Sequence, residues 1–200
     1  MGKLPATSYQ LPVKREASAG GVVYKRRQAT SGKQQVVFLL GKHSGYHKWV
    51  LPKGLIEKDE KPWETAIRET EEEMGVKAAL VQGKPIHVEK YTYFADLKDG
   101  SQISNSKFLI SNKSSNRAIE RSNNGQDSRR VLKYQEAGGK RTKVFKLVTF
   151  YLLKYLSGDS KDHGWEMEET GWFSFDEALK KLAFTGEKEA LRKAQKLIPS

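Results

Sequence analysis

Leu97 to Lys143 is a run of 47 residues that offers a hydrophobic core almost nothing. It is rich in Ser, Asn and Gln. It holds eleven Lys and Arg against four Asp and Glu, and so carries +7 of the chain's +12 net charge. Such a composition buries too little apolar surface to offset the entropy of ordering it. A structureless run of this length inside a compact domain reads as an insertion. The core must then be assembled from two flanking pieces, residues 17–96 and 144–197. We expect one domain over residues 1–200, with 97–143 as a basic, flexible, low-complexity extension between two neighbouring strands. Phe108–Ile110 is expected as a short strand within it, and Lys133–Tyr134 as packing on its stem.

The flanking pieces carry strand signals first. Ala17–Lys25 (ASAGGVVYK) is rich in small and β-branched residues, and Gln34–Gly41 (QQVVFLLG) is a continuous apolar run, as in a buried strand. Arg26–Lys33 between them predicts a turn. Ile86–Asp96 (IHVEKYTYFAD) alternates with period two, Val144–Leu156 (VFKLVTFYLLKYL) is the most apolar stretch, and Glu169–Phe175 suits a short strand. Asp176–Leu182 and Glu187–Leu197 predict helices, with Asp176 and Thr185 as N-caps.

Pro62–Met74 is the best-marked helix. Proline is tolerated in a first helical turn, and Gly75 suits the left-handed position that ends a helix. Ala66, Ile67, Thr70 and Met74 recur at helical spacing and form an apolar stripe. Glu69, Glu72 and Glu73 stand three and four apart, so their carboxylates share one face, and Glu71 points elsewhere. Three like charges so close repel unless cations neutralise them. Mg²⁺ favours a few carboxylates together with waters and substrate phosphates. A carboxylate-rich face in a chain charged +12 therefore predicts a Mg²⁺ or Mn²⁺ site that acts on phosphates, with the basic surround attracting the substrate.

The chain has no cysteine, which excludes disulfides, thiolate catalysis and Cys-built metal sites. No apolar run nears the roughly 20 residues that span a bilayer, and Met1–Ser18 lacks the apolar centre of a signal peptide. A soluble, cytoplasmic protein without a membrane partner is expected.

The spacing around the carboxylates is Gly54, five residues, Glu60, seven residues, Arg68-Glu69, two residues, Glu72-Glu73, one residue, Gly75, then Val76. It resembles the Nudix box of the Nudix (MutT-related) hydrolases at every charged and glycine position. Thr70 stands where that family usually has an aliphatic residue. ASAGGVVY, VVFLLG and WFSFDEAL also fall where Nudix domains place such segments. The resemblance implies an α/β fold, an α/β/α sandwich around a mixed sheet, and hydrolysis of a nucleoside diphosphate linked to another group. It implies that Glu69, Glu72 and Glu73 hold the cation, with Gly54 offering a carbonyl. Arg68 would orient Glu69 and Glu60, the latter as a loop brace. The general base would be a glutamate of the box or an acid of WEMEETGWF. In that segment Glu169 is the leading candidate beside Glu166 and Glu168, and strand alternation should keep Glu168 and Glu169 off one face.

His47–Gly54 (HKWVLPKG) resembles the lead-in seen in asymmetrical diadenosine tetraphosphate hydrolases, as does the Arg-Glu-Thr start of Arg68–Gly75. That implies cleavage of diadenosine tetraphosphate to ATP and AMP. Lys53, Lys48, His47 and Lys42 would face a polyphosphate. Tyr46, Tyr91, Tyr93, Phe145 or Tyr151 would stack a base, although strand packing is the commoner fate of any one of them. Three alternatives stay open: RNA 5′ ends, contacted through the 97–143 arm; a diphosphoinositol polyphosphate; and a non-catalytic nucleotide- or RNA-binding module.

Overall fold

The computed structural model describes residues 13–28, 32–96 and 141–199. The strands are β1 (Val13–Gln28), β2 (Gln34–His43), β3 (Lys48–Val50), β4 (Lys53–Leu55), β5 (Val76–Leu80), β6 (His87–Asp96), β7 (Arg141–Gly158) and β8 (Met167–Ser174). The helices are α1 (Pro62–Met74), α2 (Phe175–Lys181) and α3 (Thr185–Leu197), with a 3-10 turn at Ser160–Asp162. The fold is α/β with a mixed sheet. Strand order is β3-β2-β1-β7-β5, with β4 on β1, β6 on β7 and β8 on β2.

Two compact units divide the chain. The described part of the smaller covers 13–16, 90–96 and 141–146. There Tyr93 and Val144 are buried, and the Tyr93 hydroxyl donates to Glu16 Oε2 at 2.9 Å. Lys14 pairs with the other oxygen of that buried carboxylate at 3.0 Å. The larger unit covers 17–28, 32–89 and 147–199 of the described residues and holds the main core. Val23, Leu39, Ala66, Met74, Tyr151 and Leu153 meet in it, with Trp63, Ile67 and Trp172 packed at its margin.

Helix α1 sits as its sequence dictates. Glu64 Oε2 accepts the Lys61 N–H at 2.8 Å, satisfying one donor at the first turn. Gly75 at φ 68° closes the last turn, its N–H reaching Glu71 O at 3.0 Å. Thr70 is fully buried, and its hydroxyl donates to Ala66 O at 2.7 Å, so the polar atom is satisfied inside the core. Glycine is needed at Gly21 because a Cβ there would lie 2.8 Å from Thr70 Oγ1.

Several sequence expectations change. β1 runs through Gln28, because Arg26–Gln28 pair with Val36–Gln34 and so belong to the strand rather than to the expected turn. β3, β4 and β5 come from segments too short to show a period. Arg141–Lys143 belong to β7 rather than to the extension. Ser174, not Asp176, caps α2, with Glu177 accepting its N–H and hydroxyl at 2.9 and 2.7 Å. Helix α3 begins at Thr185 itself, and the Glu89 carboxylate, not a threonine hydroxyl, takes the Gly186 N–H. The remaining extension, with Phe108–Ile110 and Lys133–Tyr134, lies outside the described residues. No helix among the described residues is long and apolar enough to cross a membrane.

Candidate active site

Arg68 is the hub of the carboxylate face. Its Nε and Nη2 donate to the two oxygens of Glu60 at 2.9 and 3.0 Å. Its Nη1 reaches Glu69 Oε1 at 2.7 Å and Glu72 Oε2 at 2.9 Å. Nη2 also donates to the Leu55 carbonyl at 3.2 Å. A planar guanidinium can serve three carboxylates and a carbonyl at once, which an ammonium does poorly. Hydrogen bonds from Arg68 hold the Glu60 carboxyl down at about 2, with the Thr65 hydroxyl and Glu57 N–H pulling the same way. Glu60 therefore spends its oxygens on the protein and braces the loop into α1.

Glu69 and Glu73 are of another kind. Burial pushes the Glu69 carboxyl up in spite of Arg68. Burial pushes Glu73 up to about 8 against the nearby Lys53, and the charges of Glu69 and Glu166 push it further. Glu73 is 7% exposed, and its Oε2 accepts the Lys53 N–H at 2.9 Å. β4 lays Gly54 against Glu69 so closely that a Cβ would fall 1.9 Å from Oε1. Glu72 is the open member, with its side chain 59% exposed. Glu71 turns away to Lys77 at 3.7 Å.

The residues present fit a hard divalent cation on the chemistry of this donor set. Burial raises both Glu69 and Glu73, with the charge of Glu72 adding to the first and that of Glu69 to the second, and a positive charge among them would relieve both. Among the described residues no three acidic or imidazole side chains close into a cage by themselves. Arg68 draws Glu69 and Glu72 aside, which leaves coordination room for water and phosphate oxygens, as Mg²⁺ prefers.

A second buried acid stands behind the face. Glu187 on α3 is 1% exposed; its Oε2 accepts the Leu51 N–H at 3.2 Å, and its Oε1 lies 3.4 Å from Lys53 Nζ. Burial raises it to about 7, opposed by Lys53. Sequence reasoning missed it, yet the signal is there. Glu187 falls on the same helical stripe as Ala190, Leu191 and Ala194, where an acid is out of place.

Glu73 and Glu187 carry a pH dependence. Both folded values, about 8 and about 7, lie above the ordinary 4.5. The folded chain therefore holds protons that the unfolded chain has released, and stability falls as pH rises from about 4.5 through about 8. One pH unit costs up to about 1.4 kcal/mol per group, roughly 2–4 °C in Tm. In EDTA, Tm should fall between pH 5.5 and 8, and added Mg²⁺ should recover more at pH 8 than at pH 5.5. A flat Tm across that window would contradict the burial argument.

The expected substrate groups separate. Lys53 turns its ammonium toward Glu187 beside Tyr46. Tyr46 stacks on His43 at 4.0 Å and meets Phe184 edge-on at 6.1 Å. Lys48 is exposed. His47, at φ 54°, bonds Glu168, which also takes Lys42 Nζ at 2.9 Å. Tyr151 is buried in the main core, and buried Tyr93 is bonded to Glu16, so neither offers a free ring face for a base.

Among the distal acids, a bulge sits where β8 passes Lys42 and His43, which pair with Glu169 and Met167. The bulge breaks the alternation expected there, and Glu168 and Glu169 are both exposed. Glu169 stands across from Lys42. Glu166 is the member whose charge is felt at both Glu69 and Glu73.

Comparison with known proteins agrees with this architecture. The NUDIX domain family matches residues 14–194. A Mycobacterium tuberculosis protein named "Putative mutator protein MutT4" is 27% identical over 92% of this chain, and the match spans 56% of that protein's length. A NUDIX hydrolase structure from Nitrosomonas europaea superposes with a TM-score of 0.54 at 14% identity, covering 92% of this chain and 90% of the other. A C. elegans Ap4A hydrolase structure gives a TM-score of 0.49 at 21% identity, over 90% and 96% of the two chains. With the family spanning nearly the whole chain, the protein belongs to the NUDIX domain family.

Proposed function

We propose that this hydrolase splits dinucleoside polyphosphates, diadenosine tetraphosphate and water giving ATP and AMP. Nudix hydrolases use divalent metal ions and cleave pyrophosphate bonds. The observation that carries the finer reading is the Trp49–Gly54 lead-in folded onto the carboxylates, with Lys53 N–H on Glu73 and Gly54 against Glu69.

Glu69, Glu72 and Glu73 would hold the cation, with the Gly54 carbonyl at its edge. The cation would supply positive charge to the phosphate oxygens and Lewis acidity. Arg68 keeps Glu69 and Glu72 in register with the loop, so little reorganisation is needed when substrate arrives. Lys53, held between Glu187 and Tyr46, adds fixed positive charge behind the site. Glu166 is better placed than Glu169 to take a proton from the attacking water at a carboxylate oxygen. That water forms a new P–O bond, and the bridging P–O bond to the departing nucleotide breaks.

Purified protein with Mg²⁺ should be offered diadenosine tetraphosphate, dNTPs, ADP-ribose, a diphosphoinositol polyphosphate and 5′-triphosphate RNA. Diadenosine tetraphosphate should be the preferred substrate and should yield equal ATP and AMP. Two ADP as products, or faster turnover of RNA ends, would replace this reading by a rival.

A further inference from the structure

We propose that Trp165 is a nucleobase-stacking platform at the edge of the active site. This rests on the reading of the substrate as a nucleotide and specifies how its base is held.

Trp165 is 86% exposed. The chain's other three tryptophans are engaged. Trp49 meets Phe173 edge-on at 5.0 Å, Trp172 meets Tyr155 at 5.3 Å with Lys25 Nζ 4.0 Å over its ring, and Trp63 packs at the margin of the core. Among the described residues no ring or ammonium covers Trp165. Leaving so large an apolar face in water has no folding benefit, and aromatic faces of this kind are enriched where something binds.

Its place is fixed rather than loose. The Met167 N–H reaches the Gly164 carbonyl at 3.1 Å, closing a tight turn with Trp165 and Glu166 as its corners. The Gly164 N–H is bonded to Glu73 O at 3.3 Å, and a Cβ on Gly164 would lie 2.5 Å from Glu72 O. On the other side the Ser44 N–H donates to Glu166 O at 2.8 Å. The turn is therefore pinned between the last turn of α1, which carries Glu72 and Glu73, and the turn that carries Tyr46 and His47. The backbone of that corner is ordered beside the end of the helix that carries the carboxylates, so binding there has to fix little more than the rotamer of the ring.

The neighbouring charges select the occupant. Glu166 is adjacent, and its charge is felt at Glu69 and Glu73, so this corner is negative and a bare phosphate is repelled from it. A neutral base is not, and every base has a face to stack. Purines, with the larger face, should be favoured.

The test uses β,γ-methylene-ATP and inorganic tripolyphosphate as probes, both with Mg²⁺, read by calorimetry, on wild type, Trp165→Ala and Trp165→Phe. Trp165→Ala should weaken the nucleotide about tenfold and tripolyphosphate less than twofold, and Trp165→Phe should recover most of the loss. Tm and Mg²⁺ affinity should not move. Unchanged nucleotide affinity in Trp165→Ala, an equal loss for both probes, or a change in sedimentation that marks Trp165 as a contact between copies would overturn the proposal. Failure of diadenosine tetraphosphate turnover in wild type, with the probe difference intact, would overturn the substrate reading alone.

Discussion

Glu73→Gln is expected to raise Tm and remove nearly all activity. Wild-type Glu73 is buried, and burial holds its carboxyl near 8. At pH 8 half of that group's molecules are ionised at a site that opposes ionisation. The amide has the same shape and cannot ionise. Its oxygen can still accept the Lys53 N–H that now reaches Glu73 Oε2 at 2.9 Å, and its NH₂ faces the negative side where Glu69 and Glu166 raise Glu73. The gain should be largest at pH 8, smaller at pH 5.5, and vanish only below about 4.5, where the unfolded chain is protonated as well. The loss should be about 10²–10³-fold in kcat, the scale of removing one preorganised electrostatic group. Scanning calorimetry at both pH values and kcat with saturating Mg²⁺ check the two halves separately. A lowered Tm at pH 8 would overturn the burial argument, and full activity would remove Glu73 from the site. A stability gain bought by lost function is the usual signature of a residue kept for chemistry.

The same residue shows what the sequence could reveal. Helix α1 was legible because three independent signals agreed: Pro62 at its first turn, Gly75 beyond its last, and one apolar stripe between. The helix then fixed which glutamates share a face. That Glu73 is buried while Glu72 is open was not legible, because it depends on β4 folding over one side of the helix. β4 itself is three residues long, and its partner on β1, Ser18–Gly20, lies over thirty residues away. Such strands are decided by their partners, not by a period of their own. The expected separation of Glu168 and Glu169 onto opposite faces changes for a related reason. Alternation assumes an unbroken strand, and the bulge opposite Lys42 and His43 breaks it at the residue in question. The buried tyrosines show the opposite limit. Tyr93 and Tyr151 sit in strands that alternate or run apolar, and there packing claims a ring before a ligand can.

Gly54→Ala is expected to fold normally and lose most of its turnover. A Cβ at this position would lie 1.9–2.3 Å from the three terminal atoms of the Glu69 side chain. Those atoms are the far end of a flexible chain, so they can swing away without moving either backbone. Gly54 has no positive φ among the described residues, so alanine meets no backbone strain there. The fold should therefore lose little, and Tm should stay within a few degrees. The cost falls on Glu69, which must leave the place where Arg68 Nη1 holds it at 2.7 Å. Displaced by an ångström or more, the carboxylate would no longer face the cation proposed to sit with Glu72 and Glu73, and misplacement of this size can cost about 10²-fold. The Mg²⁺ affinity should fall with kcat. Gly20→Ala is the instructive control. Its Cβ would meet the Pro52 carbonyl at 2.4 Å, a backbone atom that cannot swing aside, so that variant should lose stability first. A Gly54→Ala protein with normal kcat and Mg²⁺ affinity would show that Glu69 does its work from some other position.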